Sequence, residues 1–272
     1  MKMHDSNKKL PTIFALSSAL LSASLMSQLT MAETAEQRGL RISSIAKEKD
    51  TGWGDSQSNM LMTLRNKRGE ESTRQIRSKN LEQLNDGDKA LTVFDQPRDV
   101  KGTAFLSFSH VATADDQWLY LPALKRVKRI SSKNKSGPFM GSEFSFEDLS
   151  SFEIEKYNYE FIREEPCGAN SCEVVAQYPK DKFSGYKRRL VWIDKPEYRI
   201  QKIEFYDRKN SLLKTLSFEQ YQQYEGKFWR SQLQKMVNHQ NGKSTDLKLS
   251  DIRFNTGLKD SDFNKNSLKR AR

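Results

Sequence analysis

The chain has 272 residues, with 46 Lys+Arg against 35 Asp+Glu, three His, two Cys and a net charge of +11. So few cysteines and histidines exclude a disulfide-rich scaffold and a multi-cysteine zinc module. A composition 36% hydrophobic and 30% charged excludes a multi-span membrane protein, and 10% aromatic residues argue against wholesale disorder.

The chain opens with Lys2, Lys8 and Lys9, and residues 11–32 then carry no charge. Ile13, Phe14, Leu16, Leu20, Leu21 and Leu25 make that stretch apolar, and it closes on Thr30-Met31-Ala32 before Glu33. This is the layout of a secretory signal peptide, residues 1–32, cleaved after Ala32. An uncleaved anchor is the rival reading, since the stretch is long enough to span a bilayer, although its five serines weaken that. No cysteine lies near the junction to take a lipid. Cleavage removes three lysines and one aspartate, so the net charge falls from +11 to +9. Residues 33–272 are expected to be one soluble, exported domain. A basic exported chain can meet anionic lipid headgroups, an acidic partner or acidic polymers, and nucleic acid is not expected. A merely solvated surface explains the charge equally well.

The first element of the exported part is a helix over 35–50. Leu40, Ile42, Ile45 and Ala46 form its apolar stripe, and Gly52 and Gly54 stop it. Almost everything after it reads as strands. Residues 58–66 alternate, with Met60, Met62 and Leu64 on one face. Strands are further predicted at 100–110, 117–121, 156–163, 173–178, 188–194, 199–206, 212–221, 227–237 and 245–254. In the last, the apolar phase jumps at Asp251, which predicts a bulge. Turns are expected at Asn66-Lys-Arg-Gly69, Asn85-Asp-Gly-Asp88, Glu225-Gly226 and Asn241-Gly242. Ten or eleven short strands at this spacing, mostly antiparallel, imply one curved sheet or barrel.

Leu91-Thr-Val-Phe94 and Trp118-Leu-Tyr-Leu121 carry apolar residues on both faces, so the sheet needs cover on both sides. One helix is too little. Residues 131–152 lack alternation but hold Phe139, Met140, Phe144, Phe146 and Leu149, so they either tuck onto the sheet or form a lid over a cavity. Trp118, Tyr120, Phe139, Met140, Phe144 and Phe146 are therefore candidates for a lipid-binding groove, or for plain core. Lys125, Arg126, Lys128 and Arg129 follow the Trp118 segment. They suit contact with a headgroup or an acidic partner at a cavity rim, or a lysine-protected edge strand. On such a strand Arg126 and Lys128 share one face.

Cys167 and Cys172 flank a Gly-Ala-Asn-Ser turn, and in an oxidising compartment they should form a disulfide that staples a hairpin. A redox pair is the rival, but that usually has two intervening residues where this has four. No catalytic constellation emerges. Gly54-Asp55-Ser56 has the look of a GDS-type esterase start, but neither His110 nor His239 has an aspartate three residues before it. Asp115-Asp116 and Glu147-Asp148 are adjacent carboxylates, better suited to a turn or a cap than to acid/base work. No metal, no cofactor and no enzymatic activity are expected.

Three stretches, Val93-Phe-Asp-Gln-Pro-Arg-Asp-Val-Lys-Gly-Thr103, Asp115-Asp-Gln-Trp-Leu-Tyr-Leu-Pro-Ala-Leu-Lys-Arg-Val-Lys-Arg-Ile130 and Gly141-Ser-Glu-Phe-Ser-Phe-Glu-Asp-Leu149, resemble the LolA-like family of outer-membrane lipoprotein-sorting proteins. The strand Lys187-Arg-Arg-Leu-Val-Trp-Ile-Asp194 is similar as well. The likeness runs from about Leu40 to the C-terminal region. It implies an α+β single domain: a strongly curved, mostly antiparallel sheet, an open half barrel, with helices covering its concave face. It also implies a periplasmic carrier that binds acyl chains of lipids or lipoproteins in that cavity, for transport toward the outer membrane. The alternative is an accessory subunit that docks to a membrane exporter or membrane surface through its basic face and carries no ligand.

Overall fold

The computed structural model describes residues 32–270. The expected signal peptide, save its last residue Ala32, lies outside the described residues. Helix α1 (Ala35–Lys49) begins where Thr34 and Gln37 cap each other reciprocally, and Lys47 and Lys49 lie at its negative end. Thirteen strands follow in the described residues. The first six are β1 (Asp55–Arg65), β2 (Glu71–Leu81), β3 (Lys89–Gln96), β4 (Ala104–Phe108), β5 (Asp116–Leu121) and β6 (Arg126–Ile130). The remainder are β7 (Tyr157–Cys167), β8 (Asn170–Pro179), β9 (Tyr186–Asp194), β10 (Ile200–Asp207), β11 (Leu212–Tyr224), β12 (Phe228–Asn238) and β13 (Ser244–Phe254).

These strands make one antiparallel sheet that does not close, in the order β6-β5-β4-β3-β2-β1-β13-β12-β11-β10-β9-β8-β7. The chain starts at the centre and meanders out to the β6 edge. It then crosses through residues 131–156 to the opposite edge, β7, and meanders back until β13 pairs with β1. The four predicted turns fall between strands, as expected from their glycines. The phase jump in β13 is a bulge: Asp251 has φ of 51° and the β1–β13 register shifts beside it. Two strands escape the sequence pattern in part or whole, β2 entirely and β6 as an edge only.

Both faces of the sheet are apolar, and each has its own cover. The concave core contains Phe94, Phe105, Leu119, Val175, Val191, Ile203, Phe205 and Met236. Residues 131–156 lie in it, in short 3-10 helices and irregular chain; Phe139 and Phe144 are buried there. Helix α1 adds Ile42 and Ala46 to the same core and packs on β7. It sits so close that a Cβ on Gly39 would stand 2.8 Å from backbone atoms of Glu160 and Phe161, which only glycine avoids. On the other face, Leu91, Val93, Ala104 and Leu106 meet Phe263 and Leu268 from the C-terminal segment. That segment is the second cover which the two-faced strands demanded.

Cys167 and Cys172 form the expected disulfide across the β7–β8 turn, with Cα atoms 5.7 Å apart. The closed loop is short, so replacing both cysteines by alanine should lower stability by about 2 kcal/mol. Urea unfolding of the double variant checks this, and an unchanged midpoint would show that the staple contributes nothing.

Candidate functional site

Two cavities open on the concave face. One, of about 620 Å³, lies where the chain passes from β6 into the crossing segment and faces β8–β9; Phe144, Leu149, Phe205 and Leu216 are among its walls. The other, of about 680 Å³, lies under the C-terminal half of α1; Ala46, Val191, Ile193, Ile200 and Trp229 are among its walls. Ser151, Phe152, Arg189, Ile203 and Phe218 line both, so these residues form the partition between the two spaces. Each volume is of the size that takes a small apolar ligand.

The apolar walls follow from strand alternation. Val191 and Ile193 on β9, Ile203 and Phe205 on β10, and Leu216 and Phe218 on β11 all point to the concave side, while Leu190 and Trp192 of β9 face outward into a separate buried cluster. The crossing segment is fixed over them by a buried polar network. Lys214 of β11 reaches Asp148 at 2.6 Å and donates to the Glu143 carbonyl at 2.9 Å. Asp148 also accepts from the Tyr186 hydroxyl and the Ser145 amide, each at 2.7 Å. Glu147 accepts from the Gly185 amide and the Ser184 hydroxyl, each at 2.8 Å, and burial raises its carboxyl above the usual range. Burial likewise pushes the Tyr186 phenol far up. The adjacent carboxylates therefore serve as a cap and an anchor, the structural reading of that pair.

At the other cavity, Lys47 of α1 meets buried Glu153 of the crossing segment at 3.4 Å. Asp88 receives the Gln83 amide, and burial raises its carboxyl to about 6. The rim is basic and acidic in pairs: Arg199 with Asp194 and Arg230 with Asp50.

The predicted site residues divide. Phe139 and Phe144 are buried in the concave core, with Met140 and Phe146 packed against it, and Phe144 alone of the six lines a cavity. Trp118 and Tyr120 do not share that face. Strand alternation turns them to the opposite side, against the C-terminal cover, so the six do not form one groove. Lys125, Arg126, Lys128 and Arg129 are all exposed on the β5–β6 hairpin, with Leu124 beside them 62% exposed. Arg126 and Lys128 pair across from Leu121 and Leu119, so they do share a face, and Arg129 meets Asp116.

The residues left over from the esterase reading have structural partners. Asp55 accepts from the Thr256 amide at 2.9 Å, and buried Ser56 from the Asn80 amide at 3.4 Å. His110 binds Asp86 at 2.6 Å, which holds that carboxyl down at about 2, and His239 bonds Thr215 at 2.8 Å. Among the described residues, no cluster of three His, Cys, Asp or Glu side chains could hold a metal. The walls that sequence reasoning missed lie on β9–β11. Their signal was present in 188–194, which is apolar on both faces.

The chain is similar to known proteins over most of its length. A family model described only as that of an uncharacterized protein matches residues 86–270. A domain from Vibrio parahaemolyticus named for outer membrane lipoprotein sorting is 60% identical, with a TM-score of 0.85 over 86% of this chain and 100% of that one. A DUF1329 family protein from Desulfovibrio piger is 29% identical, with a TM-score of 0.82 over 86% and 99%. A LolA superfamily protein from Nitrosomonas europaea shares the fold at 21% identity, with a TM-score of 0.67 over 84% and 98%. A comparison with curated proteins finds no match.

Proposed function

Because the chain belongs to the LolA-like outer-membrane lipoprotein-sorting family, we propose that it is a periplasmic carrier that holds acyl chains of a lipid or lipoprotein in its concave cavities. It performs no chemistry on them and uses no cofactor. The observation that carries this reading is the unfilled space on the apolar face: two cavities of about 620 and 680 Å³ meet at Phe152, Ile203 and Phe218. Each methylene moved from water into such a space contributes about 0.8 kcal/mol, so a modest length of chain suffices for binding that is still reversible. The disulfide fits export to an oxidising compartment.

The test is to fill the space. Ala46 faces the larger cavity from α1. Ala46→Trp should weaken a fluorescent fatty-acid probe by at least about tenfold, which is the loss of one or two buried methylenes' worth of contact. Circular dichroism should remain that of the wild type. The wild type should also release bound lipid in native mass spectrometry. Unchanged probe affinity in the variant, with no lipid on the wild type, would sink the carrier reading.

A second reading draws on the β5–β6 hairpin, where exposed Leu124 stands among Lys125, Arg126 and Lys128. Such a tip suits docking to an anionic membrane surface or a membrane exporter. Salt-sensitive capture of the empty protein by exporter-containing membranes would favour it.

A further inference from the structure

Among the described residues, one part-buried cation in the cavity wall has no counter-charge. Gln177, Arg189, Phe205 and Lys214 lie on one row across β8, β9, β10 and β11, so their side chains share the concave face. Lys214 is neutralised by Asp148. Arg189, two strands away, has no carboxylate within 4 Å among the described residues, although it lines both cavities. The other cations at the cavity walls either have a carboxylate, as Lys47, Lys135, Lys156, Arg199 and Arg230 do, or stand exposed at the rim.

Arg189 is also held still. Its Nε donates to Gln177 Oε1 at 2.7 Å, and Gln177 is itself buried. Its guanidinium stands 4.2 Å from the centre of the Tyr157 ring and 5.3 Å from that of Phe152. Stacking and one fixed hydrogen bond leave the two terminal nitrogens without a protein partner among the described residues, beside the junction of two apolar spaces. A guanidinium fork presented in this way matches an oxyanion bidentately, and the low polarity of the wall strengthens that pairing.

The geometry points to Arg189 as the anchor for the acidic headgroup, carboxylate or phosphate, of the acyl ligand. This rests on the carrier reading and narrows it: the preferred cargo is an acidic amphiphile, and its tail runs from Arg189 into the apolar space on one side of the partition or the other.

The test compares headgroups on one tail. Palmitate, hexadecyl phosphate and hexadecanol are each used to displace a fluorescent fatty-acid probe from the purified mature protein, alongside acetate and inorganic phosphate. The two tailed acids should bind at least about tenfold tighter than the alcohol, as expected for one charge-assisted bidentate pair. Arg189→Gln should remove that ratio and leave hexadecanol within about twofold of wild type. Arg189→Lys, a point charge without the fork, should fall between. Equal binding of acid and alcohol by the wild type would overturn the assignment and leave the carrier reading intact. Acetate or inorganic phosphate competing as well as the tailed acids would overturn it as well, since the site would then serve a free anion. Binding of none of the tailed compounds would end the carrier reading and this assignment together. Should Arg189→Gln not fold, the wild-type ratio of acid to alcohol decides the matter alone.

Discussion

Replacing Lys214 by methionine is expected to destabilise the protein by about 3–5 kcal/mol, the cost of leaving one half of a buried ion pair behind. The side chains of Lys214 and Asp148 are 4% and 5% exposed, so water cannot take over the lost partner. Methionine fills most of the lysine's volume, and the Tyr186 and Phe205 rings that flank the ammonium at 5.3 and 5.2 Å can accept it. What remains is a carboxylate with the Tyr186 hydroxyl and the Ser145 amide but no cation. Adding Asp148→Leu removes that orphan, so the double variant should lose far less than the sum of the two singles. Urea unfolding of the three variants measures this. A wild-type midpoint for Lys214→Met would mean that the pair does not fasten the crossing segment to β11.

Phe139→Ala should cost a similar amount, about 3–5 kcal/mol, by opening a cavity in a core that cannot collapse around it. Phe139 is 2% exposed, and its ring lies 5.8, 5.1 and 5.6 Å from those of Phe94, Phe105 and Phe146. It therefore joins two strands of the sheet to a second residue of the crossing segment. It lines neither cavity. The variant should thus be less stable while its folded fraction keeps the wild-type affinity for a fatty-acid probe, within about twofold. Thermal unfolding and probe titration below the transition separate the two effects. A large loss of affinity with unchanged stability would return Phe139 to the binding surface.

Helix α1 and most strands were legible because burial on one face writes a period into the residues, as in Met60, Met62 and Leu64. Strand β2, Glu-Ser-Thr-Arg-Gln-Ile-Arg-Ser-Lys-Asn-Leu, carries no such period. Ile76 is its one fully apolar buried side chain, and the strand is specified by eleven residues of pairing with β1, which a local pattern does not record. The C-terminal cover was invisible for a related reason: Leu258, Phe263 and Leu268 stand five residues apart, a spacing that fits neither strand nor helix, and gain their meaning from the two-faced strands they meet.

The site divided along the same line. A Phe-rich insertion draws attention because exposed phenylalanines are costly, yet burying them makes plain core of Phe139 and Phe146, while Phe144 and Phe152 reach the cavity walls. The cavity walls look ordinary in sequence, as buried strands do. Arg189 was within reach all the same. It has the same parity as Val191 and Ile193, and a cation two residues before two inward apolar positions is itself inward-facing.

The meeting of β1 with β13 has a consequence for how the molecule is made. The pair sits at the middle of the sheet, and its partners are separated by most of the described sequence. Until the final strand has been delivered, β1 and β12 are raw hydrogen-bonding edges of two unfinished halves. Assembly therefore includes the slow closure of a very long loop, and every newly made copy passes through an interval of stickiness before its seam is zipped.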